Sequence, residues 1–199
     1  MSNFIEHAVA ELQDYKKIKF LEYYVNAFDC YVAGGCFKDL FENKRPKDID
    51  LFFKDVDSFE KALTLIKENE RFELVSETGT STTFYDNVVC LNIQLIKNYT
   101  FKSSINLLND FDFTVTKCVL YLKDGQLTIL KDKDFNYDLS HKTLRFERDL
   151  TAPVSTFLRV FRYIDYGFKI TDDSIRNLGA SLGELDPDDE ELVQLYYED

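Results

Sequence analysis

Asp48 and Asp50, separated by one residue, are the side chains of this sequence best spaced for chemistry. They lie in the run PKDIDLFF, where polar and apolar residues alternate and then give way to Leu51-Phe52-Phe53, a pattern that predicts a central strand over residues 48–54. Residues two apart on a strand share a face, so both carboxylates would project together while Ile49 turns into the core. Two like charges this close repel unless a cation sits between them. Carboxylate oxygens are the ligands Mg²⁺ prefers, and Mg²⁺ typically adds substrate phosphates to one or two of them. Upstream, a short apolar strand over 30–33 breaks at Gly34-Gly35, and a helix over 36–41 follows directly. Glycines allow close backbone approach, and a helix start offers free N–H groups to an anion. Lys38, in the first turn of that helix, adds a positive charge. The combination reads as a seat for a triphosphate beside a carboxylate-held divalent cation, the arrangement that supports phosphoryl-type transfer.

The elements that must position these groups follow from hydropathy. Apolar residues Phe4, Ile5, Ala8, Val9 and Leu12, then Ile18, Leu21, Val25 and Phe28, recur at helical spacing, which predicts opening helices within residues 3–28. Asp57 is the expected N-cap of a helix through residue 68. Residues 72–77, 81–85 and 88–97 read as three strands separated by turns. A short helix is expected over 102–108, one strand over 111–122, and a return strand over 126–130. Pro153 opens a helix through Tyr166 that Gly167 closes. The acidic stretch 184–199 reads as a helix with a frayed end or a partly disordered tail. Together these give an α+β fold, a mixed sheet with helices on one face.

Composition bounds the function classes. The chain has 199 residues, 45% hydrophobic and 30% charged, ordinary values for a globular protein with a real core. A net charge of −12 excludes a whole-surface basic footprint for nucleic acid, while leaving room for a local basic groove. Lys38, Lys44, Arg45 and Lys47 cluster around the candidate site. No apolar run is long enough to span a membrane, and the first residues lack a secretory pattern, so a cytoplasmic protein is expected. The four cysteines, Cys30, Cys36, Cys90 and Cys118, form no CxxC pair and read as reduced thiols. Cys36 at a helix start is either an activated thiol or a small buried residue. His7 and His141 read as ordinary surface or boundary residues.

The segment GGCFKD…PKDIDLFF resembles the GGxxRD…DxD signature of the nucleotidyltransferase superfamily. More narrowly, it is similar to the head domain shared by class II CCA-adding tRNA nucleotidyltransferases and bacterial poly(A) polymerases. NDFDFTVTK, residues 109–117, resembles that family's RRDFTINA segment, and FLRVFRYIDYGFKI, residues 157–170, resembles the LRAxRFAxxxGFxI segment that opens its neck. The resemblance implies a polymerase-β-like palm at 1–140, including the opening helices, then a truncated helical neck with an acidic tail at 141–199. It implies Mg²⁺ or Mn²⁺, an NTP (ATP or CTP), and template-independent transfer of NMP with release of pyrophosphate. By position, Asp48 and Asp50 match the metal-binding carboxylates and Gly34 and Gly35 the triphosphate loop. Lys38 and Asp39 stand where the family has Arg-Asp. Asp112 matches an Asp that contacts the nucleotide ribose, and Arg159 and Arg162 match arginines that line the nucleotide pocket.

The chain departs from the family in several places, one being Phe111-Asp112, where an arginine of the RRD segment is lost. Asn92 stands where a third carboxylate is expected, so the acceptor hydroxyl is activated by metal alone, or Asp112 or Asp86 takes its proton, or turnover is weak. The segment that pairs with the incoming base has no match. The resemblance implies an RNA (tRNA-like) 3′ end as acceptor. The alternatives are a protein hydroxyl, or a degenerate head that binds nucleotide or a partner without turnover. A bacterial or phage-infected host cytoplasm fits this set.

Overall fold

The computed structural model describes residues 3–9, 12–146, 150 and 152–186. The chain divides into two compact units, Met1–Phe111 with Thr116–Lys133, and Asp112–Val115 with Asp134–Asp199. The candidate aspartates Asp48 and Asp50 belong to the first, and Asp112, Arg159 and Arg162 to the second.

In chain order the first unit runs β1 (Phe4–Ala8), α1 (Tyr15–Ile18), α2 (Glu22–Phe28), β2 (Tyr31–Ala33), α3 (Gly35–Phe41), β3 (Asp48–Phe53) and α4 (Val56–Lys67). It continues with β4 (Phe72–Glu77), β5 (Ser81–Asp86), β6 (Leu91–Thr100), α5 (Ser104–Asn109), β7 (Cys118–Lys123) and β8 (Gln126–Asp132). All eight strands join one mixed sheet in the order β1-β8-β7-β2-β3-β6-β5-β4. Only the central β3/β6 pair is parallel; its neighbours on both sides are antiparallel.

Strand β3 buries alternate residues, as its sequence requires. Ile49, Leu51 and Phe53 are at most 1% exposed, whereas Asp48, Phe52 and Asp50 are half-buried on the other face. The first face, continued by Ile93 and Phe84, carries α2 and α4; Phe59 of α4 meets Phe53 edge-on. On the second face, Leu107 and Leu108 of α5 pack with Tyr31, Ala33, Val119 and Leu130, and Phe52 and Phe111 lean on that cluster. The two aspartates thus stand on the face that α2 and α4 leave free.

Three expected elements differ, one of them the strand expected over 111–122, which begins only at Cys118. Residues 4–8 form a strand paired antiparallel to β8, not a helix. Their apolar spacing also suits a short edge strand, and pairing with β8 satisfies the backbone that an isolated turn would leave to water. Helix α4 is capped by Asp55, whose side chain accepts from the Ser58 N–H at 2.7 Å, and not by Asp57, which lies inside its first turn.

The second unit contains α6 (Phe135–His141), β9 (Thr143–Leu144), α7 (Pro153–Asp165), β10 (Lys169–Ile170) and α8 (Asp172–Gly183), with β9 and β10 paired in parallel. Helix α7 begins at Pro153 as expected, and Gly167 follows it at φ +85°. Its core brings Phe113, Phe146 and Tyr163 together, with ring centroids 4.8–5.7 Å from Phe113. Phe113 therefore does not continue a strand from residue 111. Among the described residues no helix is long and apolar enough to cross a membrane. Most of the acidic stretch expected at 184–199 lies outside the described residues.

Candidate active site

Asp48 and Asp50 project from the same face of β3. Their strand neighbours continue the row. Asp48 is registered with Asn92 of β6, and Asp50 with Gln94 of β6 and with Ala33 of β2. Ala33 ends β2, so the chain turns at Gly34 next to the carboxylates. The Gly34 N–H donates to the Cys118 carbonyl at 3.2 Å, and φ is +90°, a conformation natural to glycine. A Cβ at Gly34 would lie 3.2 Å from the Phe111 ring and 3.7 Å from the Asp50 Oδ2. The glycine bend and the aspartates are therefore adjacent in space.

Neither aspartate has a hydrogen-bond or ion-pair partner among the described side chains, and neither do Asn92 and Gln94. Removal from water, and next the charge of Asp48, pushes the Asp50 carboxyl up to about 7. A divalent cation would relieve both effects, and an all-oxygen donor set is the one Mg²⁺ or Mn²⁺ takes. The residues present fit such an ion. Among the described residues no group of three or more His, Cys, Asp or Glu gathers, so the site has two carboxylates and no third.

Lys38 and Asp39 occupy the helix after the glycines. Lys38 is 5% exposed and ion-paired with Asp39, which commits its ammonium within α3. Of the expected basic cluster, Lys44 pairs with Glu42 at 2.8 Å and Arg45 donates to the Cys90 carbonyl. Cys36 is buried under the site; burial, and then the Asp50 charge, raises its thiol well above the ordinary value, so it is a core residue and not an activated nucleophile. Asp86 does not serve as a base. It is fully buried on the opposite face and accepts from the Tyr24 hydroxyl at 2.6 Å, from Arg71 Nε at 2.8 Å and from the Val88 N–H at 2.8 Å. Sequence reasoning had no pattern for this Tyr24–Asp86–Arg71 network, whose members are far apart in the chain.

In the second unit, Asp112 is 8% exposed, accepts from Thr156 Oγ1 at 2.7 Å and pairs with Arg159. Thr156 and Arg159 are both on α7, one turn apart, so the helix pins this carboxylate. The Arg159 guanidinium also lies 5.9 Å from the Phe113 ring. Arg162, a turn further on, is exposed. His7 sits on edge strand β1, and His141 stacks on Tyr137 at 4.1 Å; neither joins the site.

A mixed sheet presenting an Asp-x-Asp strand beside a Gly-Gly bend is the fold of a nucleotidyltransferase head. Solved structures agree. A CCA-adding enzyme in complex with ATP superposes at TM-score 0.65 with 19% identity, covering 98% of this chain and 50% of that one. The same enzyme class with CTP gives 0.62 at 20% identity, over 92% of this chain and 47% of that one. The Thermotoga maritima CCA-adding enzyme complexed with tRNA gives 0.60 at 19% identity, over 92% of this chain and 47% of that one. In sequence, residues 1–142 match the model of the Gabija anti-defense 2 family, and the chain belongs to that family. A curated relative, Gabija anti-defense 2 of Bacillus phage SPbetaL7, is 30% identical over 145 residues. The match takes in 72% of this chain and 34% of the relative, so the chain spans about a third of that protein's length.

Proposed function

We propose that this chain transfers a nucleoside monophosphate from an NTP to a hydroxyl on a protein of the defense its family is named for countering. The observation that carries the chemistry is the pair Asp48 and Asp50, without partners among the described residues, beside the Gly34 bend. These carboxylates would hold Mg²⁺ or Mn²⁺, which supplies charge neutralisation for the triphosphate. Gly34 makes the bend, and Gly35, which nothing crowds, leaves the backbone open to the phosphates. The acceptor hydroxyl oxygen attacks the α-phosphorus in line and gives up its proton to solvent, the bond from that phosphorus to the β-phosphate oxygen breaks, and pyrophosphate leaves. In the second unit, helix α7 holds Asp112 through Thr156 and Arg159 and leaves Arg162 exposed.

Two observations favour a protein acceptor. The net charge is −12, and two of the four basic residues around the site, Lys38 and Lys44, are neutralised by Asp39 and Glu42. Nucleic-acid affinity rests mainly on phosphate neutralisation by Lys and Arg, so little of it is available here. The family description, an anti-defense protein with a phage relative, fits modification of a host protein. The likeness to CCA-adding enzymes favours the second reading, an RNA 3′ end.

The test incubates purified protein with labelled ATP or CTP, Mg²⁺ or Mn²⁺, and lysate of a cell carrying the defense. Protease-sensitive label that disappears in Asp48→Ala and Asp50→Ala is the expected result. RNase-sensitive label moves the acceptor to RNA. Nucleotide binding without label in either fraction, with both metals, overturns the enzyme reading in favour of a degenerate head.

A further inference from the structure

Strand β6 brings two amides into the row of the two carboxylates. The register is parallel, Asp48 to Asn92 and Asp50 to Gln94, and registered residues on neighbouring strands share a face. Burial runs in phase on both strands: Ile49, Leu51, Ile93 and Leu95 are fully buried, while Asp48, Asp50, Asn92 and Gln94 are half-buried. The four side chains form a two-by-two patch about 4.8 Å across the strands. None of the four has a hydrogen-bond or ion-pair partner among the described residues. The next residue in the row is Tyr85, registered opposite Asn92. Neither amide is among the buried polar atoms left without a partner, so both stay open to water or to a bound ion.

We infer that Asn92 is a neutral oxygen ligand of the divalent cation held by Asp48 and Asp50, and that it sets a weak intrinsic affinity for that ion. The inference rests on the metal-site reading above and deepens it. An amide oxygen coordinates hard cations, but it brings no charge, and affinity at oxygen sites is tuned by the number of charged ligands. The protein therefore holds its cation loosely until NTP phosphates add their own negative oxygens. This also fixes what the side chain cannot do: an amide takes no proton, so Asn92 positions the ion and does not act as a base.

Mn²⁺ binding to the whole purified chain, followed by the loss of the free-ion EPR signal without nucleotide, tests this. Asn92→Asp is expected to tighten binding about tenfold or more, and Asn92→Leu to weaken it several-fold. Thermal melts give an independent readout. Asn92→Asp should melt lower than the parent protein in EDTA, because three carboxylates then repel, and recover when Mn²⁺ is added. Asp50→Ala is the reference for the site itself. If the parent binds Mn²⁺ and Asp50→Ala does not, yet both Asn92 variants bind like the parent, the role of Asn92 is overturned while the carboxylate site stands. If neither the parent nor Asn92→Asp takes up Mn²⁺, the site reading and this inference fall together.

Discussion

Asp50 shows how burial and charge can work against folding for the sake of a ligand. Its carboxyl is pushed up to about 7, first by desolvation and then by Asp48, from 3.8 as a free side chain. Between pH 4 and 7 the folded chain thus keeps a proton that the unfolded chain has released. Stability that is fully present below about pH 4 is lost as the pH rises through 7. Asp50→Asn keeps the shape and removes the titration. In EDTA it should raise the melting temperature at pH 8 by several degrees and change it little at pH 4. An equal gain at both pH values would show that Asp50 is not held in a protonated, charge-strained setting. The spacing of Asp48 and Asp50 was readable from the sequence, because strand alternation is local. Asn92 was readable only as an oddity, because its place opposite Asp48 depends on a register between strands 44 residues apart in the chain.

Elements were legible where the pattern was local and unambiguous. Strands β2 and β3, helix α3 between them, and α7 from its proline to its glycine stand where hydropathy and turn residues put them. The failures came from elements defined by a distant partner. Residues 4–8 carry a helical apolar spacing, but β8, more than a hundred residues later, recruits them as an edge strand. Residues 111–117 alternate like a strand, yet Phe111 packs in the first unit and Phe113 in the core of the second. Asp86 belongs to the same class: nothing near it announced that it ties the end of β5 to Arg71 and Tyr24. Its carboxylate is fully buried, while Arg71 stacks at 3.8 Å on the Tyr23 ring. Asp86→Ala leaves the guanidinium and the buried Tyr24 hydroxyl without their acceptor and should cost about 3 kcal/mol or more, read from urea unfolding. Because Asp86 faces away from Asp48 and Asp50, Mn²⁺ affinity of the folded variant should match that of the parent. A large loss of affinity would place Asp86 in the site after all.

At the scale of the whole molecule, the chain passes between its two units three times, at 111/112, 115/116 and 133/134. The brief excursion Asp112–Val115 carries the aspartate that the family resemblance marks, along with two core residues, Phe113 at 1% and Val115 at 0% exposure. Thr114 between them donates to Asp138 at 2.6 Å, and its N–H donates to the Arg145 carbonyl at 3.0 Å. The second unit is therefore not a C-terminal appendage that can be cut away, since four of its residues are threaded between α5 and β7 of the first. A fragment ending at Lys133 keeps every strand of the eight-stranded sheet but strips Phe113 of Phe146 and Tyr163, and Asp112 of Thr156 and Arg159. Such a fragment should self-associate in light scattering at concentrations where the full chain does not, because it displays apolar side chains meant for a core. Replacing Phe113 and Val115 by serine in the fragment should reduce that association, while the same pair of changes in the full chain should destabilise it. A fragment 1–133 that is monomeric and melts as cooperatively as the full chain would mean that the excursion finds its cover within the first unit.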